Sequence, residues 1–272
     1  AAVAAGYDDV SFMYEPVAAA LDYERHIDSD QKVLVLDFGG GTTDCSMVLV
    51  GPSYRDNSDR NSSILSYTGD RVGGNDLDMK LAFHALMPYL GSKSMLKNGL
   101  SVPSSLFWDA VATNDIPAQT RFRSAANARH INQLLNDCDH PELIGRFKTL
   151  QNGQLSYRIN RSAELSKIQL SDTLTDDVAL DYIEQALSIA VTREQFSTAI
   201  ERELRVCRKL IVEAESQAGE KPDVIYVTGG TAKSPIIEGF IKSLYSDREI
   251  IIGDHFGSVA SGLTAYASRK YG

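Results

Sequence analysis

Asp37 closes an apolar run that begins at Val33, and Gly39, Gly40 and Gly41 follow it closely. Thr42, Thr43 and a second carboxylate, Asp44, complete the segment V-L-V-L-D-F-G-G-G-T-T-D, and the apolar pattern resumes from Cys45 to Val50. Glycines let backbone N–H groups approach an anion closely. The threonines add hydroxyl donors, and an acid beside such a turn can hold a metal ion or place a water molecule. The chemistry on offer is phosphate binding.

The flanks narrow the class. In a dinucleotide-binding unit or a P-loop the glycines lead into a helix. Here they lead into C-S-M-V-L-V, which is too apolar and β-branched for an exposed helix start and reads as a strand. Neither G-x-G-x-x-G nor G-x-x-x-x-G-K-[ST] occurs in this segment. A strand, a glycine turn and a second strand, bracketed by Asp37 and Asp44, form a different device from a flexible glycine loop.

Three other groups fit one nucleotide site. Gly69 opens G-D-R-V-G-G-N-D, a glycine turn with Gly73 and Gly74 that leads into a helix. A helix start offers N–H groups and partial positive charge to phosphate, although a plain loop and cap fit the same residues. Thr228, Gly229, Gly230 and Thr231 follow an apolar strand and precede a helix. Glu164, Lys167, Ile168 and Ser171 share one helical face and could clasp a ribose and cover a base; by spacing alone, a solvated face reads more readily. Glu15, directly before Pro16, either complements a helix dipole or places a carboxylate in a cleft. The five histidines show no metal spacing, and no Ser–His–Asp or Cys–His arrangement is visible.

These groups must be positioned by a recognisable order of elements. A short strand is expected over 10–14, a helix opened by Glu15 and Pro16, and strands over 33–38, 45–50 and 63–68, with a polar loop over 52–62. From Asn75 to about Gly219 the pattern is mostly helical, with helices over 76–89 and 120–138; residues 91–117 carry mixed signals. T-R-E-Q from Thr192 has the form of a capping box, and Phe196, Ile200, Leu204, Cys207, Ile211 and Ala214 make a core stripe behind it. A strand over 224–227, a helix over 236–245, a strand over 249–252 and a helix over 259–271 end the chain. The expected domains are 1–75 with 219–272, carrying the sheet and phosphate turns, and an inserted helical subdomain over 76–218.

The chain has 272 residues, 43% hydrophobic and 23% charged, ordinary for a globular protein. A formal charge of -9 argues against nucleic acid or an acidic membrane as the main partner. Cys45, Cys138 and Cys207 have no paired spacing, which suggests a reducing, cytoplasmic setting and no zinc site. No transmembrane run or signal peptide is visible. The first residue is Ala, so a fragment of a longer protein is expected.

Taken together, the motifs resemble the actin-like ATPases, and most closely the ATPase domain of the DnaK heat-shock chaperones. The E-P-V-A-A-A run at Glu15 is similar to the family's E-P-T-A-A-A, and the Asp37 turn to its D-L-G-G-G-T-F-D. Gly73, Gly74, Asn75 and Asp76 resemble its G-G-E-D turn. Glu164, Lys167, Ile168 and Ser171 match its adenosine-clasping helix. Gly229, Gly230 and Thr231, with Lys233 and Pro235, match its G-G-S-x-R-x-P. Among variants, the chain looks most like the YegD-type bacterial chaperone homologues.

The resemblance implies the second lobe of an α/β, actin-like (ribonuclease H-like) fold, a mixed sheet with flanking helices plus a mainly helical inserted subdomain. It implies ATP or ADP with Mg²⁺, and coupling of ATP hydrolysis to conformational change. Glu15 and Asp37 would be the catalytic acids and, through water, the Mg²⁺ groups. Gly39, Gly40, Gly41, Thr42 and Thr43 would bind phosphates, with Gly73 and Gly74 beside them. Gly229, Gly230, Thr231 and Lys233 would flank adenosine and the α-phosphate. The implied partners are an N-terminal lobe of the same protein and a co-chaperone or exchange-factor-like protein, and the lobe alone should not hydrolyse ATP. Asn75, Lys233 and Phe256 depart from the family's Glu, Arg and Asp. A nucleotide-sensing lobe without turnover and a sugar kinase of the same superfamily are the alternatives.

Overall fold

The computed structural model describes residues 2–57, 59–253 and 257–271. Residues 1–74 carry α1 (Glu15–Glu24), β1 (Gln31–Phe38), β2 (Thr43–Val50) and β3 (Ile64–Asp70). Next come α2 (Gly74–Leu81), α3 (Ser104–Val111), α4 (Ile116–Arg123), α5 (Ala125–Asp137), α6 (Pro141–Asn152) and α7 (Ser156–Asp172). A hairpin of β4 (Thr175–Ala179) and β5 (Ser188–Thr192) and helix α8 (Arg193–Ala199) follow. The chain ends with α9 (Glu201–Ala218), β6 (Val224–Thr228), α10 (Pro235–Leu244), β7 (Glu249–Ile252) and α11 (Ser258–Tyr271). It divides into two compact units, Ala1–Gly74 with Leu204–Gly272, and Asn75–Glu203.

The first unit is built on a five-stranded sheet in the order β3-β2-β1-β6-β7. β1, β2 and β3 form an antiparallel meander, whereas β6 and β7 join β1 in parallel. The central strands are near-continuous apolar runs because both faces are covered. On one face Val33, Val35, Val48, Val50 and Tyr226 pack with Val17, Ala20 and Leu21 of α1 and Val259 of α11. On the other, Leu34, Leu36, Met47 and Val227 pack with Leu210, Ile211 and Ala214 of α9 and Ile237 and Ile241 of α10. Each fully buried Leu or Val contributes about 1.5–3 kcal/mol. This is the mixed sheet with flanking helices expected of an actin-like ATPase lobe.

The second unit is mainly helical, with Phe107, Phe122 and Phe147 stacked in its core at ring separations of 4.2 and 5.7 Å. The β4–β5 hairpin is an addition that the polar sequence did not announce.

Four expectations are corrected. Residues 10–14 form no strand; Val10, Phe12 and Tyr14 stay exposed, so no packing holds them extended. The helix expected over 120–138 is two helices, because Ser124 turns extended and its hydroxyl caps α5 at the Asn127 N–H. The stripe behind Thr192 is also split, at Ile200, although the capping box forms as expected. Finally, residues 204–218 cluster with the sheet unit instead of the insertion, because Cys207, Leu210 and Ala214 form part of that unit's core. The loop over 52–62 is less loose than its polarity suggested: Arg60 is 2% exposed and ion-pairs with the fully buried Glu24 at 2.7 Å.

Candidate functional site

In the sheet unit, three glycine turns meet at one end of the sheet. Asp37 and Thr228 are register partners on the adjacent parallel strands β1 and β6, so the turns that follow them leave the sheet side by side. Ligands of open α/β sheets bind outside the carboxyl ends of such strands. The two turns touch: Gly229 has φ +90°, and a Cβ there would lie 2.5 Å from Asp37 Oδ1. The third turn closes on the first. The Gly74 N–H donates to the Gly39 carbonyl at 2.9 Å, and a Cβ on Gly73 would stand 2.6 Å from the Gly41 nitrogen. Only glycine permits such approaches.

Within the first turn the backbone divides its work. The Gly39 N–H donates to the Thr42 carbonyl at 3.0 Å and tightens the bend. Gly40, Gly41 and Thr42 are exposed at its tip, which is where an anion would meet backbone N–H groups. The threonine hydroxyls behave differently from a pair of phosphate donors. Thr43 is buried and donates to the Val72 carbonyl at 2.6 Å, which anchors the third turn. Thr42 Oγ1 donates to Asp44 Oδ2 at 2.8 Å. Beyond Gly229, a 3-10 turn over Gly230–Lys233 exposes Gly230 and Lys233 and leads into α10 at Pro235.

A cavity of about 430 Å³ opens beside these turns, lined by Glu15, Asp37, Asp44, Tyr67 and Thr228 over an apolar floor that includes Val35. Glu15 reaches it as the first residue of α1, extended at Tyr14 and set in its helical turn by Pro16. The Asp37 carboxyl is pushed up to about 6, first by burial and then by the negative charges of Glu15 and Asp44. Between the ordinary carboxylate value and about 6, the folded protein holds this proton more tightly than the unfolded chain. Asp37 therefore lowers stability progressively as pH rises through that window. Asp37→Asn is expected to stabilise the fold at pH 8, on the order of 1 kcal/mol after discounting for solvent screening, and to lose that advantage at pH 4. Thermal melts of both proteins at the two pH values check the sign; an equal advantage at both would refute it. Tyr67 was not anticipated from the sequence. Its hydroxyl donates to Asp44 Oδ1 at 2.6 Å, and that bond pushes its phenol up to about 12, so it is a donor at neutral pH.

In the helical unit, Glu164, Lys167, Ile168 and Ser171 lie on a face of α7 that is not core. Glu164 pairs with Arg161 at 2.6 Å, Ile168 is half exposed, and the Ser171 hydroxyl bonds the Lys167 carbonyl at 3.5 Å. Lys167 forms an ion pair at 2.8 Å with Asp78 of α2, whose carboxyl is pushed up to about 6 by burial, against the lowering effect of Lys167. A cavity of about 380 Å³ runs along this unit, with Glu164, Asn160, Asp78 and Asn75 in its wall. Asn160 is buried and its amide donates to the Val111 carbonyl at 2.6 Å, while its Oδ1 has no partner among the described residues. Spacing offered a signal for Asn160, which precedes Glu164 by four residues; Asp78 had none. Phe256, and Asp254 near it, lie outside the described residues.

Among the described residues, no group of three or more His, Cys, Asp or Glu is gathered to hold a metal ion, and no helix is long and apolar enough to cross a membrane. The model for Hsp70 proteins matches residues 1–95. The chaperone protein DnaK of Thermosipho melanesiensis is 26% identical over 257 residues, covering 90% of this chain and 33% of the relative. DnaK of Methanothermobacter thermautotrophicus is 25% identical over 249 residues, covering 88% of this chain and 32% of that relative. The chain thus spans about a third of the length of the curated relatives it matches. With its glycine turns gathered around Asp37, the chain is similar to DnaK chaperone proteins along nearly its whole length, and to the Hsp70 model over residues 1–95.

Proposed function

We propose that this chain is the ATP-binding second lobe of a DnaK-like, chaperone-type ATPase, and that the full-length protein couples ATP binding and hydrolysis to conformational change. The observation that carries the reading is the register of Asp37 with Thr228, which gathers glycine turns and carboxylates at one end of the sheet. The tip of the first turn, at Gly40, Gly41 and Thr42, would receive phosphate oxygens on backbone N–H groups. Gly73, Gly74 and Thr43 hold that tip in place, and Gly229, Gly230, Thr231 and Lys233 would flank the α-phosphate and adenosine. In the helical unit taken by itself, Glu164, Lys167, Ile168 and Ser171 would offer a face suited to adenosine.

Asp37 and Glu15 suit magnesium rather than a metal that needs a protein cage. Mg²⁺ keeps several waters and takes one or two carboxylates plus substrate phosphates. The Asp37 carboxyl is raised first by burial and then by the charges of Glu15 and Asp44, and a bound cation would offset both. When bound, the ion would neutralise charge on the phosphates; the chain's own acids would orient water toward them. Hydrolysis of this kind is mostly positioning and charge stabilisation, which suits a site built from rigid turns.

A nucleotide-sensing lobe without turnover is the second reading, motivated by the sequence departures at Asn75 and Phe256; Lys233 also lacks the planar stacking surface of an Arg. Calorimetry and an ATPase assay on the full-length protein separate the two. Mg-ATP binding with turnover is the expected result. Binding without turnover selects the sensing lobe, and no binding rejects both. The partners that fit this reading are a preceding lobe of the same protein and a co-chaperone or exchange-factor-like protein.

A further inference from the structure

Tyr67 lines the sheet unit's cavity, and neither the glycine turns nor the acid pair explains its role. It stands on the edge strand β3 opposite Ser46, diagonal to Asp44 on the same sheet face. Its ring is about half exposed, yet its hydroxyl is committed to Asp44 Oδ1 at 2.6 Å. Thr42 holds the other oxygen, Oδ2, at 2.8 Å. The carboxylate is therefore gripped on both oxygens, by one hydroxyl from its own turn and one from the next strand.

The neighbouring residue makes room for this grip. Gly69 is the register partner of Asp44, and a Cβ there would collide with Asp44 Oδ1 and stand 3.2 Å from the Tyr67 hydroxyl. A side chain at position 69 would push Asp44 and Tyr67 apart. A surface tyrosine kept only for solubility would need none of this.

We propose that Tyr67 is a positioning residue of the phosphate site, which together with Thr42 fixes the Asp44 carboxylate in the cavity beside Asp37. Each Asp44 oxygen accepts one hydroxyl and keeps lone-pair capacity for a water or a cation-bound water. A carboxylate free to rotate would offer that capacity in several directions. A fixed one offers it in one direction, and catalysis by positioning depends on that difference. Outer groups that orient metal-binding side chains typically change affinity or activity by about 10–100-fold when removed, and the lower end of that range is the scale expected for a hydroxyl that orients a carboxylate. The assignment rests on the ATPase reading above.

The test uses Tyr67→Phe, which keeps the ring and removes only the hydroxyl, in the full-length protein. Steady-state ATP hydrolysis is expected to show kcat about tenfold lower, with KM for ATP within about twofold of wild type. The melting temperature should stay within about 2 °C, because an exposed hydroxyl adds little to stability. In an Asp44→Asn background, adding Tyr67→Phe should cause no further loss, since both changes release the same group. Wild-type kcat in Tyr67→Phe, or losses that multiply in the double variant, would overturn the assignment. An Asp37→Ala control that loses turnover while Tyr67→Phe keeps it would sink the role of Tyr67 and leave the ATPase reading standing. No turnover by the wild-type protein would sink both.

Discussion

Asp37→Ala in the full-length protein is expected to lower ATP turnover on the order of 100-fold or more, the scale seen when one preorganised electrostatic group is removed. The loss should fall on kcat rather than on nucleotide affinity, because the glycine turns that would bind phosphate keep their backbone contacts. Asp37 is placed for such an effect. It ends β1 beside Thr228, faces Glu15 and Asp44 across one cavity, and carries a carboxyl raised to about 6. The fold should survive, since removing a strained negative charge relieves repulsion. Turnover within threefold of wild type, measured by phosphate release at saturating Mg-ATP, would refute the assignment of Asp37.

Glu24→Ala is expected to destabilise the fold by about 3–5 kcal/mol. Glu24 is fully buried at the end of α1. Its Oε1 accepts from the Gly51 N–H at 3.0 Å and from Arg60 at 2.7 Å, and its Oε2 lies 3.3 Å from Arg269 of α11. Removing the carboxylate leaves the Arg60 guanidinium buried without its counter-ion, and that uncompensated charge is the main penalty. A domain stable by only about 5–15 kcal/mol would lose a large share of its margin. Denaturant unfolding checks the magnitude. Glu24→Gln, which keeps an acceptor for Gly51 and Arg60, should lose less, and equal losses in the two variants would contradict an electrostatic origin.

The legible parts of this protein were the local ones. The Asp37 turn announces itself because strand, glycines, hydroxyls and acid are contiguous, and the adjacency of Glu15 and Pro16 marks a helix start from two residues. The strands at Val33, Cys45 and Val224 were legible too, since their runs are apolar throughout; their order in the sheet was not, because the pairing of β1 with β6 joins segments far apart in the chain. Glu24 was not legible. It stands in Y-E-R-H, where a helix-end acid is normally solvated, and only the return of Arg60 from a polar loop makes it a buried ion. Tyr67 was hidden for a related reason, because its bond to Asp44 runs diagonally between strands and leaves no trace in spacing. Thr43 carries a contact that its place in the turn did not show: its hydroxyl donates to the Val72 carbonyl and ties two glycine turns together. The β4–β5 hairpin escaped notice because D-D-V-A carries little β-propensity, and its turn rests on Ala186 with φ 59°.

The pairing of β1 with β6 has a consequence for how the molecule is made. Asp37 and Thr228 are neighbours in the sheet but are separated by the whole Asn75–Glu203 unit in the chain. Within this chain β1, β2 and β3 are synthesised before β6, as a three-stranded ribbon whose inner β1 edge awaits its partner. The helical unit follows as one contiguous stretch, able to gather its core before the sheet can close. Only when β6 emerges is that edge covered, and with it comes the second glycine turn. Long-range pairing of this kind is slow and leaves an edge open to wrong partners in the interval. A nascent chain paused before residue 224 would therefore hold an apolar strand edge without its partner.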